Sequence, residues 1–288
     1  MKKLLILSGK GGTGKTTIAA AFIRFADAKA FADADVEAPN LHLVSGITET
    51  AEQSPYYGSK IAVIDEELCD NCGVCIEKCL FDALYSDGKK VSVSTFSCEG
   101  CGVCSYVCPR NAVTLKEDES GIMSLYKGRK TFSTAELKIG RGNSGKLVSA
   151  VKTHLYKAAP NADLVIIDGP PGIGCPVIAS MRGADLVLIV TEPSVSGISD
   201  LKRLMKTAAV FQTKIAVCVN KYDVSAEKTE EIKKFCDENG ILFAGVIPYD
   251  KTASLMSNKG LTLADADNPA RDSLKRVFDN TIDALNAS

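Results

Sequence analysis

GKGGTGKTT, residues 9–17, is the stretch on which the reading of this chain turns. An apolar run, Leu4 to Leu7, leads into it, and Ile18 to Phe25 behind it has helical apolar spacing. Strand, glycine-rich turn and helix N-terminus form the context in which backbone N–H groups and the helix dipole hold phosphate. The stretch satisfies G-x-x-x-x-G-K-[ST] in full. In that pattern Gly9, Gly11, Gly12 and Gly14 let the backbone curl, and Lys15 reaches the terminal phosphates. Thr16 offers a hydroxyl to magnesium, and Thr13 and Thr17 complete the cradle. Lys10 is unusual, because it puts a second cation inside the loop.

A phosphate loop needs an acidic partner at the end of a nearby apolar strand, to hold magnesium directly or through water. Leu164 to Ile167 followed by Asp168 supplies one, and the next residues, Gly169 to Gly174, read as a turn able to sense the γ-phosphate. Ala28 to Ala34 reads as an alanine-rich strand with Asp33 and Asp35 at its end, on the rim where parallel sheets bind ligands. Asp35 is the candidate for orienting the attacking water, and Asp33 for the magnesium shell. Both residue types also cap loops, so each keeps that second reading. Asn220, Lys221, Tyr222 and Asp223 follow another apolar strand. A side-chain amide there can pair with a purine edge, and Pro248, Tyr249 and Asp250 are expected to form the opposite wall. GTPases use a similar N-K-x-D string, so the tetrapeptide alone leaves the base open. Gly140, Gly142 and Gly145 satisfy G-x-G-x-x-G, but no apolar strand leads into them, and no dinucleotide site is expected there.

The 288 residues have room for one large α/β domain and a smaller unit, and a 45% hydrophobic content supports a core. A net charge of −1 provides no electrostatic footprint for nucleic acid and no polybasic membrane patch. Lys2 and Lys3 precede an apolar run too short for a signal peptide, and no stretch reaches transmembrane length. The expectation is a cytoplasmic protein without a stable membrane anchor.

Cysteine is the compositional anomaly. There are eleven, and eight fall between Cys69 and Cys108. The cytosol keeps thiols reduced, so metal binding is a better expectation than disulfides. CDNCGVCIEKCLFDAL, Cys69 to Leu84, aligns with CEGCGVCSYVCPRNAV, Cys98 to Val113, at an offset of 29. Each half has C-x-x-C-x-x-C-x-x-x-C spacing, the run that wraps a cubane iron–sulfur cluster, with the fourth cysteine crossing to the other cluster. One cluster is then expected on Cys69, Cys72, Cys75 and Cys108, and the other on Cys98, Cys101, Cys104 and Cys79. Pro109 follows its cysteine as the motif expects, whereas Leu80 stands at the corresponding place of the first half. Cys218 and Cys236 read as inert packing residues. Cys175, just past the Asp168 turn, is expected to pack, with a redox or metal-transfer role left open. His42 and His154 lack companion ligands.

Around these motifs the chain alternates strand and helix. Lys3 to Leu7, Leu186 to Val190, Ile215 to Val219 and Ile241 to Ile247 read as strands, and Lys15 to Ala26, Lys146 to Lys157, Ser199 to Phe211 and Ala226 to Asn239 as helices. Gln53 to Ser59 reads as a connector, and Ile61 to Ile64 and Val113 to Leu115 as short strands flanking the cysteines. Glu117 to Gly145 reads as a polar return. Pro269 to Leu285 reads as a docked C-terminal helix. The expected division is 1–59 and 117–288 for a phosphate-loop α/β domain, with 60–116 as an inserted unit.

With Lys10 in the loop, Asp35, Asp168 in DGPPG and Asn220 in NKYD, the chain resembles the MinD/ParA/Mrp superfamily of P-loop ATPases, and more narrowly its members with an inserted two-cluster ferredoxin domain. The resemblance implies an α/β P-loop NTPase fold, a mostly parallel sheet with helices on both faces, plus a small α+β ferredoxin-like insert. It also implies ATP and Mg2+ as ligands, two [4Fe-4S] clusters and an ATP-dependent homodimer in which Lys10 reaches the partner's ATP. The function it implies is ATP hydrolysis coupled to electron transfer or metal-cofactor assembly on a redox or metalloprotein partner. The alternative is a positioning or assembly ATPase with structural or redox-sensing clusters. The basic amphipathic tail of MinD proteins and the paired C-terminal cysteines of Mrp-type carriers are absent. Cys175 stands as many residues beyond its aspartate as the cluster ligand of nitrogenase iron proteins does, with no second such ligand identified.

Overall fold

The computed structural model describes residues 1–287. The chain opens with β1 (Lys2–Ser8), α1 (Lys15–Phe25), β2 (Ala30–Asp33) and β3 (Glu52–Ile64). Next come α2 (Val74–Glu77), β4 (Leu84–Ser86), β5 (Val91–Val93), α3 (Val103–Val107), β6 (Val113–Lys127) and β7 (Thr131–Leu137). Then follow α4 (Ser144–Ala158), β8 (Leu164–Pro171), α5 (Cys175–Met181), β9 (Leu186–Thr191), α6 (Val195–Ala209) and β10 (Lys214–Asn220). The chain closes with α7 (Ala226–Glu238), β11 (Leu242–Ile247), α8 (Thr252–Asn258) and α9 (Pro269–Asn286).

Nine strands form one sheet in the order β11-β10-β9-β1-β8-β2-β7-β6-β3. Neighbours from β11 to β7 are parallel, and β6 and β3 are antiparallel additions at one edge. The parallel strands are covered on both faces, which is why they read as continuous apolar runs. In β1, Leu4 and Ile6 point into a core with α1 and α9, while Leu5 and Leu7 join a second core with α4 to α7. Each such fully buried side chain contributes on the order of 1.5–3 kcal/mol. Helix α9 begins at Pro269 with Asn268 capping the Arg271 N–H, and buries Leu274, Val277, Phe278 and Leu285. Phe278 meets Phe22 of α1 edge to face at 5.1 Å, so the C-terminal helix docks as its apolar spacing predicts. Among the described residues, no helix is long and apolar enough to cross a membrane.

The edge departs from the sequence reading. Residues 53–59 are no connector but part of β3, and residues 117–145 contain the rest of β6 and all of β7. The short strands expected at 61–64 and 113–115 are the far ends of this long β3–β6 ribbon. Only Ala62 of β3 is buried, and the strand contains Pro55 and Gly58, so it lacks the alternation that marks a half-buried strand. An edge strand tolerates both residues. Strand β8 also continues through Pro171, where a turn was expected from Asp168, and α6 starts four residues earlier than its spacing predicts.

Everything between the far ends of β3 and β6 belongs to the cysteine-rich segment. Helices α2 and α3 and the β4–β5 hairpin pack round a small core of Ala62, Cys75, Leu84, Val91, Cys104 and Val113. The 29-residue repeat extends to the backbone. Positive φ angles recur at Asn71 and Gly100 (57° and 65°), Gly73 and Gly102 (76° and 82°), and Asp82 and Asn111 (49° and 52°).

Candidate functional site

Glycine-rich residues 9–14 link β1 to α1 at the ends of the parallel strands. Gly14 caps α1 in the left-handed region, φ 86°, where an added Cβ would lie 2.4 Å from Asn220 Nδ2. Helix α1 therefore starts with its free N–H groups directed at the loop's concavity, as an anion site requires. Lys15 opens the helix and extends to Asp168, Nζ to Oδ1 at 2.6 Å, with both side chains buried. Thr16 Oγ1 lies 3.5 Å from the same ammonium. Two of the buried oxygens left without a protein partner lie here: Asp168 Oδ2 and Thr13 Oγ1. An orphaned oxygen of Asp168, with Thr16 Oγ1 near the same Lys15 ammonium, fits the donor chemistry of a magnesium ion with its waters.

Asp33 stands opposite Asp168 in the β2–β8 register and is fully buried. Both its oxygens are engaged. Oδ1 accepts from the Asp35 N–H at 3.0 Å, and Oδ2 from the Asn40 and Leu41 N–H groups at 2.8 and 2.9 Å. Asp33 thus caps the loop after β2, which is the second of its two readings, and it does so at the floor of the site. Burial, and then the Asp168 carboxylate, push its carboxyl above the usual range, against the pull of those donors. The loop it shapes carries Asp35, which is partly buried. Burial raises the Asp35 carboxyl as well, Lys15 acting in the opposite direction.

The N-K-x-D residues and the opposite wall hold one another and the phosphate loop through hydrogen bonds within the chain. Asn220 Nδ2 donates to the Thr13 carbonyl at 2.8 Å, and its Oδ1 accepts from the Lys221 N–H at 3.0 Å. One Nδ2 hydrogen thus braces the phosphate loop, and the amide keeps a second donor and a second lone pair. Asp223 accepts from the Tyr249 N–H at 2.8 Å. Asp250 accepts from Thr252 N–H and Oγ1 at 2.7 and 2.6 Å and from Asn268 Nδ2 at 2.6 Å. Beside the loop, Asn220, Pro248 and Asp250 still border a cleft of about 500 Å3, which also takes in Tyr249 and, from α8, Ser254 and Asn258. Helix α8 was not legible in the sequence and forms the outer wall.

Glu192, at the end of β9, was also missed. Its carboxylate holds Lys10 at 3.2 Å and Lys221 at 2.6 Å, while Lys10 Nζ donates to Ser196 Oγ at 3.2 Å and Lys221 Nζ to the Gly12 carbonyl at 3.2 Å. Burial works against its charge, yet the Lys221 and Lys10 ammoniums hold its carboxyl below the usual range. Within one chain, then, Lys10 folds back on its own Glu192. No pattern flags a single glutamate after a strand.

In the cysteine-rich segment the structure forms two small cavities, of about 10 and 20 Å3. Cys69, Cys72, Cys75 and Cys108 line the first, and Cys79, Cys98, Cys101 and Cys104 the second. Backbone N–H groups approach three of the sulfurs: Ala83 to Cys79 Sγ at 3.4 Å, Ala112 to Cys108 Sγ at 3.3 Å and Ala62 to Cys98 Sγ at 3.4 Å. Among the described residues no three His, Cys, Asp or Glu side chains converge on one metal ion. A cubane asks for something else: each iron takes its own thiolate, so the four sulfurs stand round a shell instead of meeting at a point. A core of six small side chains, two of them cysteines, is also thin for a unit of this size without a staple. The donor set, four cysteines lining each cavity, fits a cluster there. At the first mouth Arg110 pairs with Asp70 at 2.8 Å, whereas Phe81 and Glu99 occupy the repeat-related positions at the second.

The remaining cysteines lie in the main body. Burial pushes the Cys218 thiol up to about 12 and Cys236 up to about 11, and both are inert core residues. Cys175 is exposed at the start of α5, and its carbonyl lies 3.1 Å from where a Cβ on Gly145 would stand. Gly140 and Gly142 lie in the turn from β7 into α4, and Gly145 lies in the first turn of α4.

Comparison with known proteins agrees with this architecture. The profile of the CobQ/CobB/MinD/ParA nucleotide binding domain matches residues 4–263. An uncharacterised protein of Methanocaldococcus jannaschii is 32% identical over 284 residues, 96% of this chain and 95% of its own length. An iron-sulfur cluster carrier protein of the same organism is 23% identical, with 98% and 84% covered. Among solved structures, the Pyrococcus furiosus cell division ATPase MinD superposes with a TM-score of 0.58 at 19% identity, covering 99% of both chains. The septum site-determining protein MinD of Pyrococcus horikoshii, complexed with Mg-ADP, gives 0.59 at 18% identity, covering 99% of this chain and 97% of its own.

Proposed function

From the premise that this chain belongs to the CobQ/CobB/MinD/ParA nucleotide-binding family, we propose that it is an ATPase whose nucleotide state controls redox chemistry in its cysteine-rich segment. The observation that carries this reading is the pair of four-cysteine cavities, related by the sequence repeat, on the same chain as a complete phosphate loop.

In this reading residues 9–17 cradle the phosphates, Lys15 neutralises charge on them, and Thr16 and Asp168 hold Mg2+, which supplies a Lewis acid for the γ-phosphoryl oxygens. Asp33 keeps its capping role and positions Asp35. Asp35 orients a water against the γ-phosphorus; the bond to the β–γ bridging oxygen breaks, and ADP, phosphate and a proton leave. The cleft at Pro248 and Tyr249 receives the adenine. Lys10 leaves Glu192 to meet the nucleotide of a second copy, so binding of ATP favours a dimer. When bound in the two cavities, [4Fe-4S] clusters would supply one-electron storage. The partner is a redox protein or metalloprotein, and the chain acts on it by passing electrons or assembling a metal cofactor. The docked face of α9 gives no support to a membrane-positioning reading.

The test is anaerobic purification followed by iron, sulfide and phosphate-release assays. The expected result is about eight iron and eight sulfide per chain, with hydrolysis lost in Lys15→Ala. Zinc in place of iron, or hydrolysis unaffected by Lys15→Ala, would overturn the reading.

A further inference from the structure

The β3–β6 ribbon is a two-part element. Strand β6 pairs with β7 only over 121–127, so this half is fixed in the main sheet. The other half, from Ser59 and Asp118 outward, pairs only within the ribbon and carries the cysteine-rich segment. Between the halves the pairing slips twice, Tyr56 opposite Gly121, Tyr57 opposite Glu119 and Ser59 opposite Asp118, so that β6 skips Ser120 and β3 skips Gly58, a bulged stretch. Bulges bend and re-aim a strand. Without a cross-brace this one would be a hinge.

Arg141 spans it. The guanidinium grips Asp118 through Nε and Nη2, at 2.9 and 3.0 Å, and Nη1 donates to the Thr95 carbonyl on the cysteine side. Both charged side chains are largely buried, at 16% and 10% exposure, so water does not screen the pair and its planar fork fixes an angle. Gly140 packs so close to Phe96 that an added Cβ would lie 2.6 Å from the ring. Thr95 and Phe96 run directly into Cys98, which lines the second cavity.

The same turn is tied to the nucleotide side. At the end of β7 the Leu137 N–H donates to the Val36 carbonyl at 2.8 Å, one residue beyond Asp35. At its other end Gly145 abuts the Cys175 backbone, just past the strand that carries Asp168.

We infer that Arg141 is a positioning residue: it locks the cysteine-rich segment at a set angle, and the turn at 138–143 transmits movement of the Asp35 loop to that angle. The inference rests on the proposed nucleotide-gated function and assigns its route to the second cavity. The element with two arrangements is the bulged ribbon, braced or released. An Arg141→Lys side chain, with a single ammonium, cannot serve both Asp118 oxygens and Thr95 at once.

Hydrogen exchange of the clustered protein, compared between ADP and a non-hydrolysable ATP analogue, tests this. In the wild type the amides at 59–62, 95–98 and 138–143 should change protection between the two nucleotides. Arg141→Ala and Arg141→Lys should lose the change at 59–62 and 95–98 while keeping it at the phosphate loop, with iron content and nucleotide affinity retained. Should Arg141→Ala fail to fold, Asp118→Asn, which keeps an acceptor, should give the same loss. A nucleotide-dependent change at 95–98 that survives these substitutions overturns the inference. So does a wild type that responds at the loop alone, and that result leaves ATP hydrolysis and cluster content standing. A chain that binds neither nucleotide nor iron overturns the parent reading instead.

Discussion

The Lys15 ammonium lies 2.6 Å from one oxygen of Asp168 while the other oxygen, equally buried, has no protein partner. This half-satisfied pair stores an electrostatic demand that a metal ion and a phosphate answer together. Breaking it from one side leaves an uncompensated buried charge, a loss of about 3–5 kcal/mol in comparable pairs. Asp168→Asn should therefore destabilise the free chain by a few kcal/mol in urea unfolding and remove the Mg2+ dependence of nucleotide binding. The double change Lys15→Met with Asp168→Leu should recover most of the stability and none of the hydrolysis. A double variant as unstable as the single one would show that the pair is not the origin of the loss.

Asp35 is separable from binding. It belongs to the loop that Asp33 caps after β2 and not to the glycine-rich loop at 9–17. Asp35→Ala should lower the rate of phosphate release by about 10²–10⁴-fold, the range for a residue that orients or deprotonates a nucleophile, with nucleotide affinity within a few-fold of wild type. Equal losses in both would place Asp35 in binding.

The crossed cysteine sets make a selective prediction. Cys79 is close in sequence to Cys69, Cys72 and Cys75 yet lines the cavity of Cys98, Cys101 and Cys104. Cys79→Ala should reduce iron from about eight to about four per chain and leave the spectrum of the Cys108 cavity intact. Loss of the signal that also disappears in Cys72→Ala would reverse the pairing.

A pH effect follows from Lys152. Its ammonium is buried between α4 and the C-terminal end of α5, donating to the Ala179, Ser180 and Arg182 carbonyls at 3.1, 2.6 and 2.7 Å. Burial, and then Lys3 and Arg182, push it down to about 8 from 10.5. Below pH 8 the charge is kept in both states and its burial costs stability. Between pH 8 and 10.5 the unfolded chain holds the proton that the folded chain releases, so stability rises with pH. Relative to Lys152→Met, the wild type should gain up to about 3 kcal/mol across that window in urea titrations. A difference that stays flat or falls with pH would show that the three carbonyls fully offset the burial.

How much could be read beforehand depended on whether a residue's role was local. The phosphate loop, the buried strands at Leu4–Leu7 and Leu164–Ile167, and the doubled cysteine run are each legible because spacing alone dictates their backbone. The β3–β6–β7 edge was not, since Pro55, Gly58 and a row of exposed polar residues are stable in a strand only through pairing with distant partners. Asn220 shows the same limit in the site. The motif names the residue, but only the fold reveals that its amide also donates to the Thr13 carbonyl. Glu192 and Arg141 carry no local signal, because each acts by joining segments far apart in the chain.

The central claim is that nucleotide state and the cysteine-rich segment are coupled. It is tested most directly by an anaerobic potentiometric titration, followed by electron paramagnetic resonance, of the protein with no nucleotide, with MgADP and with a non-hydrolysable MgATP analogue. The reduction potential of at least one cluster should shift between the ADP and ATP-analogue states. Identical potentials in all three states, with nucleotide bound and both clusters present, would contradict it.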